Sequence, residues 1–364
     1  MLELAAAILE RVEAGERVAV VTVTHVLGSA PRALGSSMAV DEEGRAIGSI
    51  SGGCVEAQAY ALAQDVLGTG AAASDHFGFD DDAAFAAGLS CGGQLRVLGR
   101  AVDSGSGEVL AELRAARAGR PAGLALIVGG PEELVGLVLT GATRSQDVVG
   151  PLLDEDTVRR ILAEREARVR SGRSATVEID CRGSELEVTF VVHAERPRLL
   201  VFGAVDFSAA LCAAGSLLGY RVTVCDARPV FATVERFPAA DEVVVEWPSD
   251  YLAATEVDSR TVVAVLTHDE KFDVPLLELA LTLPVAYVGA MGSRRTHERR
   301  LRLLREAGVA EEALARLHSP IGLDIGASTP EETAVSILAE VLAARTGASG
   351  APLAESSGPI HAGR

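Results

Sequence analysis

Lysine is almost missing from these 364 residues: Lys271 stands alone among 33 basic side chains, against 51 acidic ones, and the formal net charge is -18. The positive charge is carried by arginine, whose planar fork suits bidentate contacts with phosphate. So acidic a chain is not built to meet nucleic acid or an anionic membrane as its main partner. No apolar run approaches the roughly 18 residues that a membrane span needs. The start, Met1-Leu2-Glu3-Leu4, carries an acid and no basic stretch, so it does not read as a secretory signal. Cysteine is scarce too: five residues, an odd number, with no Cys-x-x-Cys. That leaves no disulfide framework and no closed zinc site, and it fits a reducing cytoplasm.

What is present is a soluble composition, 48% hydrophobic and 23% charged, long enough for two domains that each bury a core. Residues 2–14 have apolar spacing of helical period and end at Gly15. Residues 17–27 are β-branched and read as a strand, followed by a loop at 28–32 and a hairpin of 37–40 with 45–50. Helices are expected over 54–67 and 108–118, and strands over 94–98, 124–128, 134–140, 175–179 and 186–192. Together they make a mixed α/β domain over 1–194.

After a linker at 195–197 the rhythm becomes regular. Strands at 199–202, 221–225, 242–246, 262–266 and 285–288 alternate with helices at 207–218, 274–281 and 294–307. A last helix spans 330–344. Such alternation implies a doubly wound parallel sheet of Rossmann type over 195–345. The Gly- and Pro-rich tail, 346–364, reads as disordered.

Two glycine loops carry the chemistry. Ser51-Gly52-Gly53-Cys54 ends a β-prone segment and opens a helix. Paired glycines admit positive φ, the first helical amides suit an anion, and the helix dipole favours thiolate. Glu56 lies just inside that helix, where it could orient the site, take a proton, or sit on the surface. About 37 residues on, Ser90-Cys91-Gly92-Gly93 repeats the composition in another order. The two thiols could face one ligand, bind a soft metal or form a redox pair, or each could fill a buried turn. Cys181, Cys212 and Cys225 fall on expected strands and helices and read as core.

In the second half Gly203 ends the first strand, and Asp226 ends the second about 23 residues on, the spacing at which a Rossmann fold offers a carboxylate to a ribose. The glycine fingerprint is broken at Val205 and Asp206, which put a branched side chain and a negative charge where pyrophosphate would sit. NAD(P) or another nucleotide is disfavoured there. The better anion site is Gly292-Ser293-Arg294-Arg295, a glycine turn opening a helix with two arginines in its first turn. His268 ends another strand on the same carboxyl edge, where open α/β sheets bind ligands.

The stretches 28–32, 48–56, 88–93, 224–229, 267–269, 287–295 and 320–326 resemble, in order and across both halves, the XdhC/CoxI proteins, maturation factors for xanthine dehydrogenase and carbon monoxide dehydrogenase. The resemblance implies an XdhC–CoxI domain joined to an XdhC Rossmann domain. It implies a chaperone that holds molybdenum cofactor (molybdopterin), protects it while a cysteine desulfurase supplies sulfur, and inserts it into an apo-xanthine dehydrogenase or related molybdenum hydroxylase. The chain departs from the family at Val205-Asp206, where many members carry a glycine-rich turn followed by His. In this reading Cys54 and Cys91 are soft ligands for molybdenum, and Gly52, Gly53, Glu56, Gly92, Gly93, Gly203, Asp226, His268, Gly292, Ser293, Arg294 and Arg295 contact the rest of the cofactor. A homodimer would suit a carrier that meets dimeric clients. Two rivals remain open on the residues alone: a nucleotide-dependent oxidoreductase using Asp226 and His268, and a scaffold that only docks the target enzyme.

Overall fold

A computed structural model describes residues 1–27, 32–53, 55–78, 94–181 and 184–355. It divides into two compact units, Met1–Glu195 and the chain from Arg196 onward.

The first unit holds two antiparallel sheets. Strands β1 (Val18–Leu27), β2 (Ser37–Asp41), β3 (Ala46–Gly48), β4 (Ala73–Gly78) and β5 (Gln94–Val102) are ordered β3-β2-β1-β5-β4. Strands β6 (Ala122–Gly129), β7 (Val138–Leu139), β8 (Ala175–Cys181) and β9 (Ser184–His193) are ordered β7-β6-β9-β8. The long apolar run of β1 is explained by burial on both faces. Val18 and Val20 join one core cluster, and Ala19, Val21 and Val23 join another. Helix α1 (Ala5–Glu13) closes the first cluster with Ala5, Ile8, Leu9 and Val12, and α2 (Glu56–Thr69) closes the second with Ala59, Leu62, Ala63 and Val66. Each set is one apolar stripe of helical period, and each fully buried Leu or Val is worth about 1.5–3 kcal/mol. Gly99 lets α2 lie close to the sheet: a Cβ there would come within 3.1 Å of Val66 Cγ2.

Helices α3 (Gly107–Arg117), α4 (Ser145–Val148) and α5 (Glu155–Ser171) are the other helices among the described residues of this unit. The strand expected over 134–140 is instead a 3-10 turn, Glu132–Leu134, and the two-residue β7, because Gly136 adopts φ +89° and interrupts the run. Both α5 and β4 lie outside the elements expected from the sequence.

The second unit has one sheet, every strand parallel: β10 (Arg198–Phe202), β11 (Arg221–Cys225), β12 (Glu242–Val244), β13 (Val262–Val265), β14 (Tyr287–Ala290) and β15 (Leu317–His318), ordered β12-β11-β10-β13-β14-β15. That is the Rossmann order, with its switch point between β10 and β13. Around it lie α6 (Asp206–Leu217), α7 (Pro248–Ala254), α8 (Glu270–Ala280), α9 (Arg294–Glu306), α10 (Glu311–Leu314) and α11 (Pro330–Thr346). Helix α8 starts before the expected 274 because Asp269 caps it, accepting the Lys271 N–H at 3.2 Å. Helix α11 opens with a capping box between Thr329 and Glu332 and ends at Gly347, in the left-handed region. Of the tail expected to be disordered, 356–364 lies outside the described residues.

Candidate functional site

The antiparallel register gathers several loops at one end of the first sheet. Leu27 pairs with Gln94, Gln94 with Gly78, and Met38 with Gly48, so the segments after β1, β3 and β4 all leave the same end. Cys54, Cys91, Gly92 and Gly93 lie outside the described residues.

The turn that precedes α2 is a built anion nest, and the chain fills it itself. Glu56, the first residue of α2, folds its carboxylate back onto the N–H groups of Ser51 (3.0 Å), Gly52 (2.9 Å) and Gly53 (2.8 Å). The Ser49 hydroxyl donates to it at 2.6 Å, and the Ser51 hydroxyl donates as well. Gly52 (φ +82°) and Gly53 (φ +124°) supply the backbone that converges these donors. Burial works to raise the Glu56 pKa, but the hydroxyls of Ser49 and Ser51 and the N–H groups of Ser51 and Gly53 outweigh it and bring the carboxyl down to about 2. The Gly52 and Gly53 amides expected to face a ligand are therefore taken by Glu56. Arg32 closes the same turn from outside, donating from Nε to the Ser49 carbonyl at 3.3 Å.

A second polar cluster at that end has only one trace in the sequence, a histidine in a β-branched run. His25 Nε2 lies 2.6 Å from Glu187 Oε1, and Arg96 Nη1 donates to Glu187 Oε2. Thr24 and His25 are joined at 3.2 Å (Oγ1 to Nδ1), and the Thr24 hydroxyl donates to the Arg96 carbonyl at 3.0 Å. Burial lowers the His25 pKa; Glu187 pulls the other way, and Arg96 and His76 add to the lowering.

In the second unit Gly203 sits at the switch point with φ +113°, and a Cβ on it would stand 2.8 Å from Thr267 Cγ2 and 3.0 Å from Thr267 N. Asp226 turns inward. Its Oδ2 accepts the Ala204 N–H at 2.7 Å, and Arg228 holds both oxygens through Nε (2.9 Å) and Nη2 (2.7 Å). Burial works to raise the Asp226 pKa, and the Arg228 fork with the Ala204 and Arg228 N–H groups holds it below the ordinary range. Val205 stands at the N-cap position of α6 without a side-chain hydrogen bond to the helix, and Asp206 pairs with Arg236 at 3.2 Å. This edge is disfavoured for a dinucleotide: the Ala204 amide beside the phosphate position already holds a carboxylate, and a second carboxylate stands at the helix start.

The turn before α9 is open by contrast. Ser293 caps the helix, accepting the Thr296 N–H at 3.1 Å, and Arg294 and Arg295 are exposed with no carboxylate partner among the described residues. Beneath them Arg300 is buried. It donates to Asp273 Oδ2 (2.9 Å), the Met291 carbonyl (3.0 Å) and Ser319 Oγ (3.1 Å). Thr267 donates to the other oxygen of Asp273, whose pKa burial raises despite Thr267 and Arg300. His268 is exposed on the same edge. Sequence reasoning missed Arg300 and Asp273, which bind the loops after β13 and β14 together.

No group of three or more His, Cys, Asp or Glu side chains among the described residues could hold a metal ion, and no described helix is long and apolar enough to cross a membrane. A match to the XdhC Rossmann domain covers residues 199–341, and a match to the XdhC and CoxI family covers 11–78. Over 335 residues the chain is 26% identical to a Bacillus subtilis protein named as a probable xanthine dehydrogenase subunit, covering 91% of this chain and 94% of that one. Over 339 residues it is 27% identical to the Escherichia coli molybdenum cofactor insertion chaperone PaoD, covering 93% and 86%. The uncharacterized Escherichia coli protein YqeB is 37% identical over 203 residues, a match spanning 54% of this chain but only 37% of YqeB. A crystal structure described as a xanthine dehydrogenase from Bacillus halodurans superposes with a TM-score of 0.67 at 26% identity, covering 98% of this chain and 97% of that one. With one family matched in both units, and relatives aligned along nearly the whole length, the chain belongs to the XdhC/CoxI family.

Proposed function

We propose that the protein carries molybdenum cofactor as cargo and delivers it, in the cytoplasm, to an apo-xanthine dehydrogenase or a related molybdenum hydroxylase. The observation that carries this reading is the shared exit of the glycine loops: the described neighbours of both thiol-bearing turns, Gly48 on one side and Gly78 and Gln94 on the other, stand at one end of one sheet. Cys54 follows directly on the turn that Glu56 braces, so Glu56 is the positioning residue of that thiol and Cys54 and Cys91 are the soft ligands offered to molybdenum. Arg294 and Arg295, exposed at the start of α9, offer charge-assisted donors to a phosphate. The names of PaoD and of the Bacillus subtilis relative point the same way. Protection of the cargo during sulfuration, a cysteine desulfurase as sulfur donor and a homodimeric carrier complete the proposal.

A dinucleotide-dependent oxidoreductase is not favoured, because Asp226 takes the Ala204 amide that borders the phosphate position and Asp206 adds a negative charge at the helix start. The deciding experiment purifies the full chain from a cofactor-producing host and measures the fluorescence of oxidised pterin released from it. Pterin is expected with the parent chain and lost in Cys54→Ala and Cys91→Ala variants that keep the parent melting temperature. Equal pterin in all three would overturn the thiol-based carrier.

A further inference from the structure

Two strand irregularities meet at His25 and Glu187. Strand β1 slips by one residue against β5 between Val23 and His25, so Val23 and Val26 both pack under α2 while His25 falls opposite Arg96. Strict alternation would have sent His25 after Val21 and Val23 into that apolar cluster; the bulge re-aims it to the other face. Strand β6 slips against β9 between Ile127 and Gly129, and Gly129 lies opposite Glu187. A Cβ on Gly129 would stand 2.8 Å from Glu187 Oε2, so this glycine makes room for the carboxylate. Bulges that turn polar side chains onto one spot are a usual mark of a site.

On the same face His76 pairs across β4–β5 with Arg96, and Gly78 with Gln94. A cavity of about 310 Å³ opens there, lined by Leu27, His76, Gly78, Gln94 and Arg96 among others. Arg96 uses Nη1 on Glu187; its other N–H groups, and the His76 ring, have no hydrogen-bond partner among the described residues.

We propose that this cavity binds an oxyanion of phosphate type, with Arg96 and His76 as its donors. Glu187, backed by His25, fixes the guanidinium so that its free edge faces the cavity. Arg96 presents the planar fork that phosphate accepts best, and His76 adds a donor one strand away. Glu187 both positions Arg96 and competes for its charge. The site goes beyond the cofactor reading and stands whether or not the chain carries a pterin.

The test titrates the full chain with inorganic phosphate and, separately, with glycerol 3-phosphate, by calorimetry at low ionic strength. Arg96→Gln and His76→Gln are each expected to weaken binding about tenfold, as loss of a charge-assisted hydrogen bond does. Arg96→Lys should restore part of the loss. Glu187→Gln removes the competing charge and should tighten binding by about threefold. Binding of either probe with this pattern of variants supports the site, and binding of one probe alone tells a free phosphate from a phosphate monoester. Absence of binding by either probe overturns it. So does unchanged affinity in His76→Gln, an exposed edge-strand substitution that leaves the core intact, or weaker binding in a folded Glu187→Gln.

Discussion

The Asp226 carboxylate accepts the backbone N–H of Ala204 at 2.7 Å, across the carboxyl ends of β11 and β10. In a dinucleotide-binding sheet this amide borders the phosphate site and the acid at the end of the second strand reaches the ribose. Here the acid serves as the anion itself, and Arg228 locks it in place. The Glu56 carboxylate does the same for the Gly52-Gly53 turn. Each unit thus keeps a nest of anion-binding shape and fills it from its own chain.

The first prediction is that NAD(H) and NADP(H) leave the melting temperature of the full chain unchanged, since a ligand that binds only the folded state would raise it. Asp226→Asn keeps the size but gives up the charge-assisted contacts to Ala204 and Arg228, and should cost about 1–3 kcal/mol by guanidinium denaturation. An upward shift of melting temperature with NADH in the parent chain would refute the closed edge.

Acid should undo the Glu56 brace. Its folded pKa is about 2, below the ordinary carboxyl value near 4.3, so the contribution is fully present above pH of about 4.3 and is lost as pH falls toward 2. Gly52 and Gly53 are exposed, so water replaces part of what Glu56→Gln removes, and the cost at neutral pH is about 1 kcal/mol. The check is denaturation of the parent chain and Glu56→Gln at neutral pH and at pH of about 3. The difference between them should shrink at the lower pH.

The second unit was largely legible in the sequence because parallel strands buried on both faces read as unbroken apolar runs, as in Val262–Val265. The first unit hid its elements where burial is slight. Helix α5 buries only Thr157, Val158 and Ile161 of 17 residues, so its apolar stripe is too thin to read. Strand β4 buries only Phe77. The Gly52-Gly53 and Gly203-Ala204 turns could be found from composition, but the closure of the second could not: the fold-back of Asp226 spans two strands. Glu56 did leave a local trace, since an acid three residues after Gly53 can reach back to its N–H as in a capping box. The bulges that bring His25 to Glu187 depend on pairing register, which a single strand does not encode.

Arg300 and Asp273 form a buried pair whose side chains are each 3% exposed. Removing one partner leaves an uncompensated charge, so Arg300→Met or Asp273→Leu alone should cost about 3–5 kcal/mol. The double variant should recover much of that, giving a coupling energy well outside additivity in a denaturation cycle. Additive losses would show that the two groups do not act as a pair.

Two glycines separate conformational strain from steric conflict. Gly203 and Gly52 both have positive φ, but a Cβ on Gly203 would strike Thr267, whereas on Gly52 it would meet nothing within 4 Å. Gly52→Ala should therefore cost about 1 kcal/mol from backbone strain alone. Gly203→Ala adds the displacement of the Thr267 backbone at the switch point and should cost at least about 1–3 kcal/mol more. Both are read from guanidinium midpoints of the full chain. Equal costs would mean that β10 and β13 can part at their carboxyl ends without loss, against the close approach of Gly203 to Thr267.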